Sequence, residues 1–225
     1  MKKMINLLAL AIIGSVLFVS CNDDDTNEND TTRPVVTLNG ASDTTIVLNS
    51  TWTDPGATAE DDKDGVITDI HVTGTVNVNL TGTYKINYFA TDAAGNTGTA
   101  TRTVKVRNTA DGWAGNYSVI NEVHGAVIAG YTDIITYSQT ENKFVWVTKF
   151  AHYDNVEFKI KFENPESIPT DVILPLNVIY YGDNTADNLY FSGSGEATTK
   201  ESFYINYTEN SLYSIIHGKV IYTKQ

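Results

Sequence analysis

One thiol, four imidazoles and a scatter of carboxylates are the side chains of this 225-residue chain with chemistry to offer. A single cysteine, Cys21, makes neither an intrachain disulfide nor a thiolate cage for a metal. His71, His124, His152 and His217 share no short metal-ligand spacing. Gly193-Ser194-Gly195 lacks the spacing of a nucleophile elbow and the helical pattern that should follow it, and there is no phosphate loop. Asp61-Asp62-Lys63-Asp64-Gly65 carries close-set acids and a glycine, as calcium loops do, but not the ligand ladder and distal glutamate of an EF-hand. It reads as a turn with solvated charges. Paired acids for glycoside chemistry need a set separation that sequence does not give, and Glu157 and Glu163 read as a solvated strand face. The expectation is a protein without catalytic residues, metal or cofactor.

Aromatic side chains are the other resource. Eleven of the 13 tyrosines lie beyond Gly112. Flat amphipathic rings can stack on the apolar faces of sugars, which makes Trp146, Tyr180 and Tyr181 candidate ligand-binding residues. Phe144, Trp146 and Phe150 share a parity opposite to Val145 and Val147, and the bulkier set is expected to face the core. A formal charge of −12, from 15 basic against 27 acidic residues, argues against a nucleic-acid partner, which requires a Lys/Arg surface.

The elements that must position these residues are strands. Residues 33–108 are rich in Thr and Val, with short runs at Val35–Leu38, Thr45–Leu48, Ile67–Thr73, Val76–Leu80, Thr83–Thr91 and Thr99–Arg107. Turn signals separate them, and the pattern predicts an all-β sandwich. Tyr84, Ile86, Tyr88 and Ala90 fall on one face; Ala100, Val104 and Val106 form another, with Arg102 on the inner side and expected near a rim. Asp92 and Asn96 are placed to cap a hairpin tip. The ordered series Asp54-Pro55-Gly56-Ala57, Asp64-Gly65-Val66-Ile67, Gly82-Thr83-Tyr84 and Tyr88 to Asn96 resembles the bacterial Ig-like domain of pesticidal crystal proteins, related to hyalin repeats. That resemblance implies a spacer or adhesion unit and a corner role for Tyr84, whose hydroxyl would bond nearby backbone. Residues 109–112 then read as a linker.

Residues 113–225 accommodate about eight strands: Gly115–Glu122, Ala126–Ser138, Lys143–Phe150, Val156–Glu163, Val172–Tyr181, Asn188–Gly193, Ser202–Thr208 and Leu212–Tyr222. Val156, Phe158, Ile160 and Phe162 should point inward, and Pro175 should mark an edge or a bulge. The fold class is all-β, with a second antiparallel domain that is either a barrel or a sandwich. Trp113-Ala114-Gly115-Asn116-Tyr117 resembles the opening of lipocalin-like lipoprotein domains.

Residues 1–20 combine Lys2 and Lys3 with an apolar run from Leu7 to Val19, the pattern of a secretory signal peptide. Leu17 to Cys21 resembles a bacterial lipobox, which implies acylation of Cys21 and attachment to a membrane through lipid. Residues 21–32 form an acidic tether, and Asp23, Asp24 and Asp25 resemble the surface-export signal of Bacteroidetes-type lipoproteins; a spacer facing the periplasm is the alternative. The whole reads as an outer-membrane, cell-surface lipoprotein whose Ig-like spacer presents a distal β-domain for ligand recognition. Its partner would be a glycan or, alternatively, a surface protein or a small hydrophobic ligand held in a lipocalin-like barrel. Cys21→Ala is expected to move the protein from the membrane fraction to the soluble fraction. Full retention of the variant on membranes would refute lipid anchoring.

Overall fold

The computed structural model describes residues 30–151, 153–179 and 188–225. The signal segment, Cys21, Asp23 to Asp25, His152, Tyr180 and Tyr181 lie outside the described residues.

Seven strands build the first module: β1 (Val35–Leu38), β2 (Asp43–Val47), β3 (Ala57–Asp61), β4 (Gly65–Ile67), β5 (Ile70–Thr73), β6 (Gly82–Thr91) and β7 (Thr97–Arg107). They form two sheets, ordered β1-β3-β4 and β2-β7-β6-β5, with β2 parallel to β7. The expected run Ile67–Thr73 divides between the sheets as β4 and β5. Val76–Leu80 is not a strand, because the Asn77 carboxamide accepts the Asn79 N–H at 3.0 Å and turns the chain locally. β3 was not anticipated: its Ala, Glu and Asp are weak strand formers, and only the burial of Ala59 and Asp61 on one face justifies it. Ile86, Tyr88 and Ala90 are buried as the alternation requires, and Tyr84 Oη donates to Leu80 O at 2.8 Å.

Arg102 is not at a rim. It is only 1% exposed, and its guanidinium donates to the carbonyls of Asn39 (2.8 Å), Gly56 (2.9 Å) and Ala41, with Nε 3.2 Å from the Asp54 carboxylate. Tyr88 Oη donates to the same carboxylate at 2.6 Å. The Asp54-Pro55-Gly56 corner therefore supplies the counter-charge that a buried cation needs.

The second module is a closed antiparallel barrel of β8 (Gly115–Val123), β9 (Ala126–Tyr137), β10 (Phe144–Phe150), β11 (Tyr153–Phe162), β12 (Thr170–Ile179), β13 (Leu189–Thr199), β14 (Ser202–Asn210) and β15 (Ile215–Lys224). Each strand pairs with its sequence neighbours, and β15 returns to β8. Gly193 and Gly195 permit tight coiling between β13 and β14: a Cβ on either would lie 2.3 Å from Asn206 O and 1.7 Å from Tyr204 O respectively. Among the described residues, two layers of rings pack in the interior. Trp113, Phe162, Phe203, Tyr117 and Tyr222 form the layer nearer the Ig-like module, with Trp113 stacked on Phe162 at 4.4 Å. Phe150, Phe158, Phe191, Tyr207 and Tyr153 form the other. Burial raises the pKa of the phenols of Tyr117, Tyr207 and Tyr222 above the usual tyrosine value, so all three stay neutral inside the barrel.

Only the first half of residues 109–112, read as a linker, is drawn into the barrel. Thr109 donates through its N–H and its hydroxyl to Asn142 Oδ1, both at 2.8 Å, and Ala110 is buried, while Asp111 is half-buried and Gly112 exposed. Asn108 is fully buried; its Nδ2 donates to the carbonyls of Ser138, Glu141 and Phe144 at 2.8–3.1 Å, and its Oδ1 accepts from the N–H groups of Ala110 and Lys143, both at 2.9 Å. A short 3-10 turn, Asp111–Trp113, then seats Trp113 in the barrel. Around it, Thr81 N–H donates to Gln139 O (2.9 Å), Asn49 bonds to Thr140 and Asn142, and Arg107 pairs with Asp111 and Glu166. Asn108→Ala should cost about 2–4 kcal/mol, since it strands several buried polar groups. Asn108→Asp should melt at least as early at neutral pH, because a carboxylate then faces three carbonyls, and should recover as acid protonates it. Wild-type melting of both variants would show that Asn108 does not hold the joint.

Candidate functional site

Trp146 faces outward, against the expectation that the larger residues of β10 fill the core. Val145 and Val147 are fully buried, and Phe144 and Trp146 lie on the outer wall. The register of β10 against β11 shifts between Val147 and Lys149, so the parity flips and Phe150 rejoins the interior. Asp133 sits inside this irregularity. Its carboxylate accepts the Thr148 N–H at 3.2 Å, the Thr148 hydroxyl at 2.6 Å and the Lys149 N–H at 3.3 Å. On the other side of the hairpin, Asn177 accepts the Lys159 N–H at 3.0 Å and donates to Pro175 O at 2.7 Å. Pro175 is at a bulge, as expected, because β12 slips in register between Leu174 and Asn177.

The outer ring of Trp146 is not bare. Lys159 lies directly across from it in the ladder, with Nζ 5.6 Å from the Trp146 ring centre and 4.8 Å from that of Phe144. The same ammonium donates to both Glu141 oxygens at 2.9 and 2.8 Å. This is a cation-capped aromatic pair, not an open stacking platform.

A second surface feature was invisible in sequence. An open cleft of about 440 Å³ runs along the outer wall of β14, β15 and β8, lined among others by Glu122, His124, Asn206, Thr208, His217 and Lys219. Strand pairing brings these distant residues together: Thr208 faces His217, Asn206 faces Lys219, and Lys219 faces Glu122. Thr208 Oγ1 and His217 Nδ1 are 3.1 Å apart, and Lys219 Nζ lies 4.6 Å from the Tyr204 ring centre. Only pairing across three strands reveals the set; its members fall in two separate stretches of the chain. The β8–β9 and β14–β15 hairpins extend from these strands. One carries exposed Val127 and Ile128; the other carries exposed Leu212, Tyr213 (86%) and Ile215.

Of the other candidates, His71 is an exposed strand residue against Phe89, and His124 occupies a hairpin with φ of 50°. Asp92 caps its hairpin as expected, accepting the Asn96 N–H at 2.7 Å.

Residues 36–106 match the family model described as "Bacterial surface protein, Ig-like domain". The first module is thus an Ig-like domain, and it is joined to a closed eight-stranded barrel. No curated protein matches the chain. Among solved structures, a lipoprotein of Bacteroides thetaiotaomicron shares 19% identity over 85% of this chain and 100% of its own, with a TM-score of 0.33. A structure from Clostridium perfringens, of a carbohydrate-binding module in complex with GlcNAc and of INT domains, shares 14% identity over 85% of this chain and 44% of its own, with a TM-score of 0.28. Likenesses of this size carry no weight for function.

The inside and outside assignments can be separated by mutation. Phe158→Ala should cost about 3–5 kcal/mol of stability. Trp146→Ala should cost about 1 kcal/mol, the scale of an exposed cation–π contact. Comparable losses in the two variants would contradict the assigned parity of β10.

Proposed function

We propose that the protein is a cell-surface lipoprotein in which lipid on Cys21 and an acidic tether carry the Ig-like module, and the barrel recognises a glycan on its outer wall. Asp23, Asp24 and Asp25 act in this reading as the export signal. The observation that carries it is the polar cleft on β14, β15 and β8. Its amide, hydroxyl, imidazole, ammonium and carboxylate groups offer the mixed donors and acceptors that sugar hydroxyls require, with the Tyr204 ring beside them. Packed rings in the described interior disfavour the alternative of a small hydrophobic ligand inside the barrel, because they occupy the space it would need.

A protein partner is the second reading, favoured by the exposed Val127, Ile128, Leu212, Tyr213 and Ile215 on the two hairpins beside the cleft. The full chain, kept in detergent because of its apolar N-terminal stretch, can be screened on a glycan array. His217→Ala and Lys219→Ala should weaken any glycan bound there by about tenfold or more while leaving the melting temperature unchanged. Trp146→Ala reports on the other aromatic surface. If a bound glycan is indifferent to His217 and Lys219 but lost with Trp146, the site moves to β10 and β11. If no glycan is bound, the protein-contact reading takes its place.

A further inference from the structure

The acidic turn after β3 acquires a third carboxylate from a segment that sequence does not connect to it. Asp30 lies ahead of β1, and its carbonyl accepts the Asn96 Nδ2 at 2.9 Å, which ties the incoming chain to the β6–β7 hairpin. One oxygen each from Asp30, Asp61 and Asp62 then falls within 4.8 Å of the others. Proximity of acids alone would mean little. Asp61, however, is only 5% exposed, and its two oxygens differ. Oδ1 accepts the N–H groups of Lys63 at 3.0 Å and Asp64 at 3.1 Å. Oδ2 is buried without a hydrogen-bond partner. A carboxylate oxygen withdrawn from water and left unpaired is unfavourable unless something else coordinates it.

We propose that Asp30, Asp61 and Asp62 bind a calcium ion. The donor set is oxygen only, which suits a hard cation and not zinc or copper. Three carboxylates from two separate chain segments, one of them buried and one exposed, make an irregular sphere completed by water. Calcium tolerates such a sphere, while magnesium demands near-octahedral geometry. The expectation of a merely solvated turn is thereby replaced at Asp61: its hydrogen bonds build the turn with one oxygen and leave the other for the ion. The ion would clip the chain that leads into β1 onto the turn between β3 and β4. It would thus fix the direction in which the Ig-like module leaves its tether.

The test is a calorimetric titration of the full chain in detergent with calcium chloride, paired with thermal melts in calcium and in EDTA. One ion should bind with a Kd of about 10⁻⁴–10⁻³ M, the range of extracellular calcium modules, and calcium should raise the melting temperature. Asp62→Asn and Asp30→Asn, which alter the outer members of the cluster, should each weaken binding at least tenfold without changing the melt in EDTA. Absence of binding up to roughly 10 mM calcium, about a hundredfold above the tighter limit, would overturn the site. So would binding that survives both substitutions, which would place the ion elsewhere, on acids such as Asp23 to Asp25. Magnesium binding equal to that of calcium would overturn the assignment of the ion.

Discussion

Seven residue pairs between β15 and β8, from Gly218–Val123 to Lys224–Tyr117, join the last strand of the barrel to its first. That ladder removes the two free edges an eight-stranded meander would otherwise expose. It also fixes a narrow interior that must be filled by side chains. The aromatic wealth of this half of the chain is largely consumed in doing so. Among the described residues, ten rings from the strands and the Asp111–Trp113 turn pack face-on or edge-on in two layers. The surface then open to any partner is the outer wall and the loops. Closure has a local consequence too: β10 and β11 pair with their outer neighbours over only two residues on each side. Beyond those pairs the carboxylate of Asp133 and the carboxamide of Asn177 take over from backbone carbonyls, so the sheet stays closed where its ladders part.

Asn108 performs a similar substitution between modules. Three carbonyls at the β9–β10 turn converge on one carboxamide nitrogen, and two amide N–H groups converge on its oxygen. A side chain with both donors and acceptors is needed there, and an ionised acid could not serve. Because β7 runs into this residue and Trp113 follows it by five positions, the last strand of the Ig-like module also delivers the ring that floors the barrel. The Arg107 pairs with Asp111 and Glu166 lie at the surface of the same joint and contribute less, as half-exposed ion pairs do.

Much of this architecture was legible in the residue pattern. Each of the eight expected runs overlaps a barrel strand, and the inward set Val156, Phe158, Ile160 and Phe162 of β11 holds, although β11 begins three residues earlier, at Tyr153, and β13 runs on past Gly193 to Thr199. Tyr84 makes the backbone hydrogen bond that the Ig-like resemblance implies, and Asp92 the one that its type and position at the hairpin imply. What was not legible has physical causes. Period-2 reasoning assumes an unbroken ladder, so the shift after Val147 sent Phe144 and Trp146 to the wrong side. β3 escaped notice because Ala59 and Asp61 are buried for reasons of sheet position and not of hydrophobicity. The joint beside the linker was not legible because a small or polar residue looks the same in sequence whether it is solvated, as Gly112 is, or buried with its carboxamide fully hydrogen-bonded, as Asn108 is. The cleft of His217, Lys219 and Glu122 is a product of cross-strand register, which no single stretch of sequence encodes.

The Ig-like module also shows two treatments of buried charge within one small core. At Arg102 the chain supplies everything: a carboxylate from Asp54, three backbone carbonyls, and the Tyr88 hydroxyl that bridges to the same acid. The charge is neutralised by the fold, and the Asp54-Pro55-Gly56 corner is shaped by that requirement. At Asp61 the chain meets half of the need and then stops, giving two N–H donors to one oxygen and none to the other. A second and third carboxylate stand beside it, which worsens the electrostatics of the site instead of relieving them. A core able to surround Arg102 so fully is not short of means to pair a carboxylate. The different treatment of Asp61 is therefore best understood as a charge whose compensation comes from outside the chain.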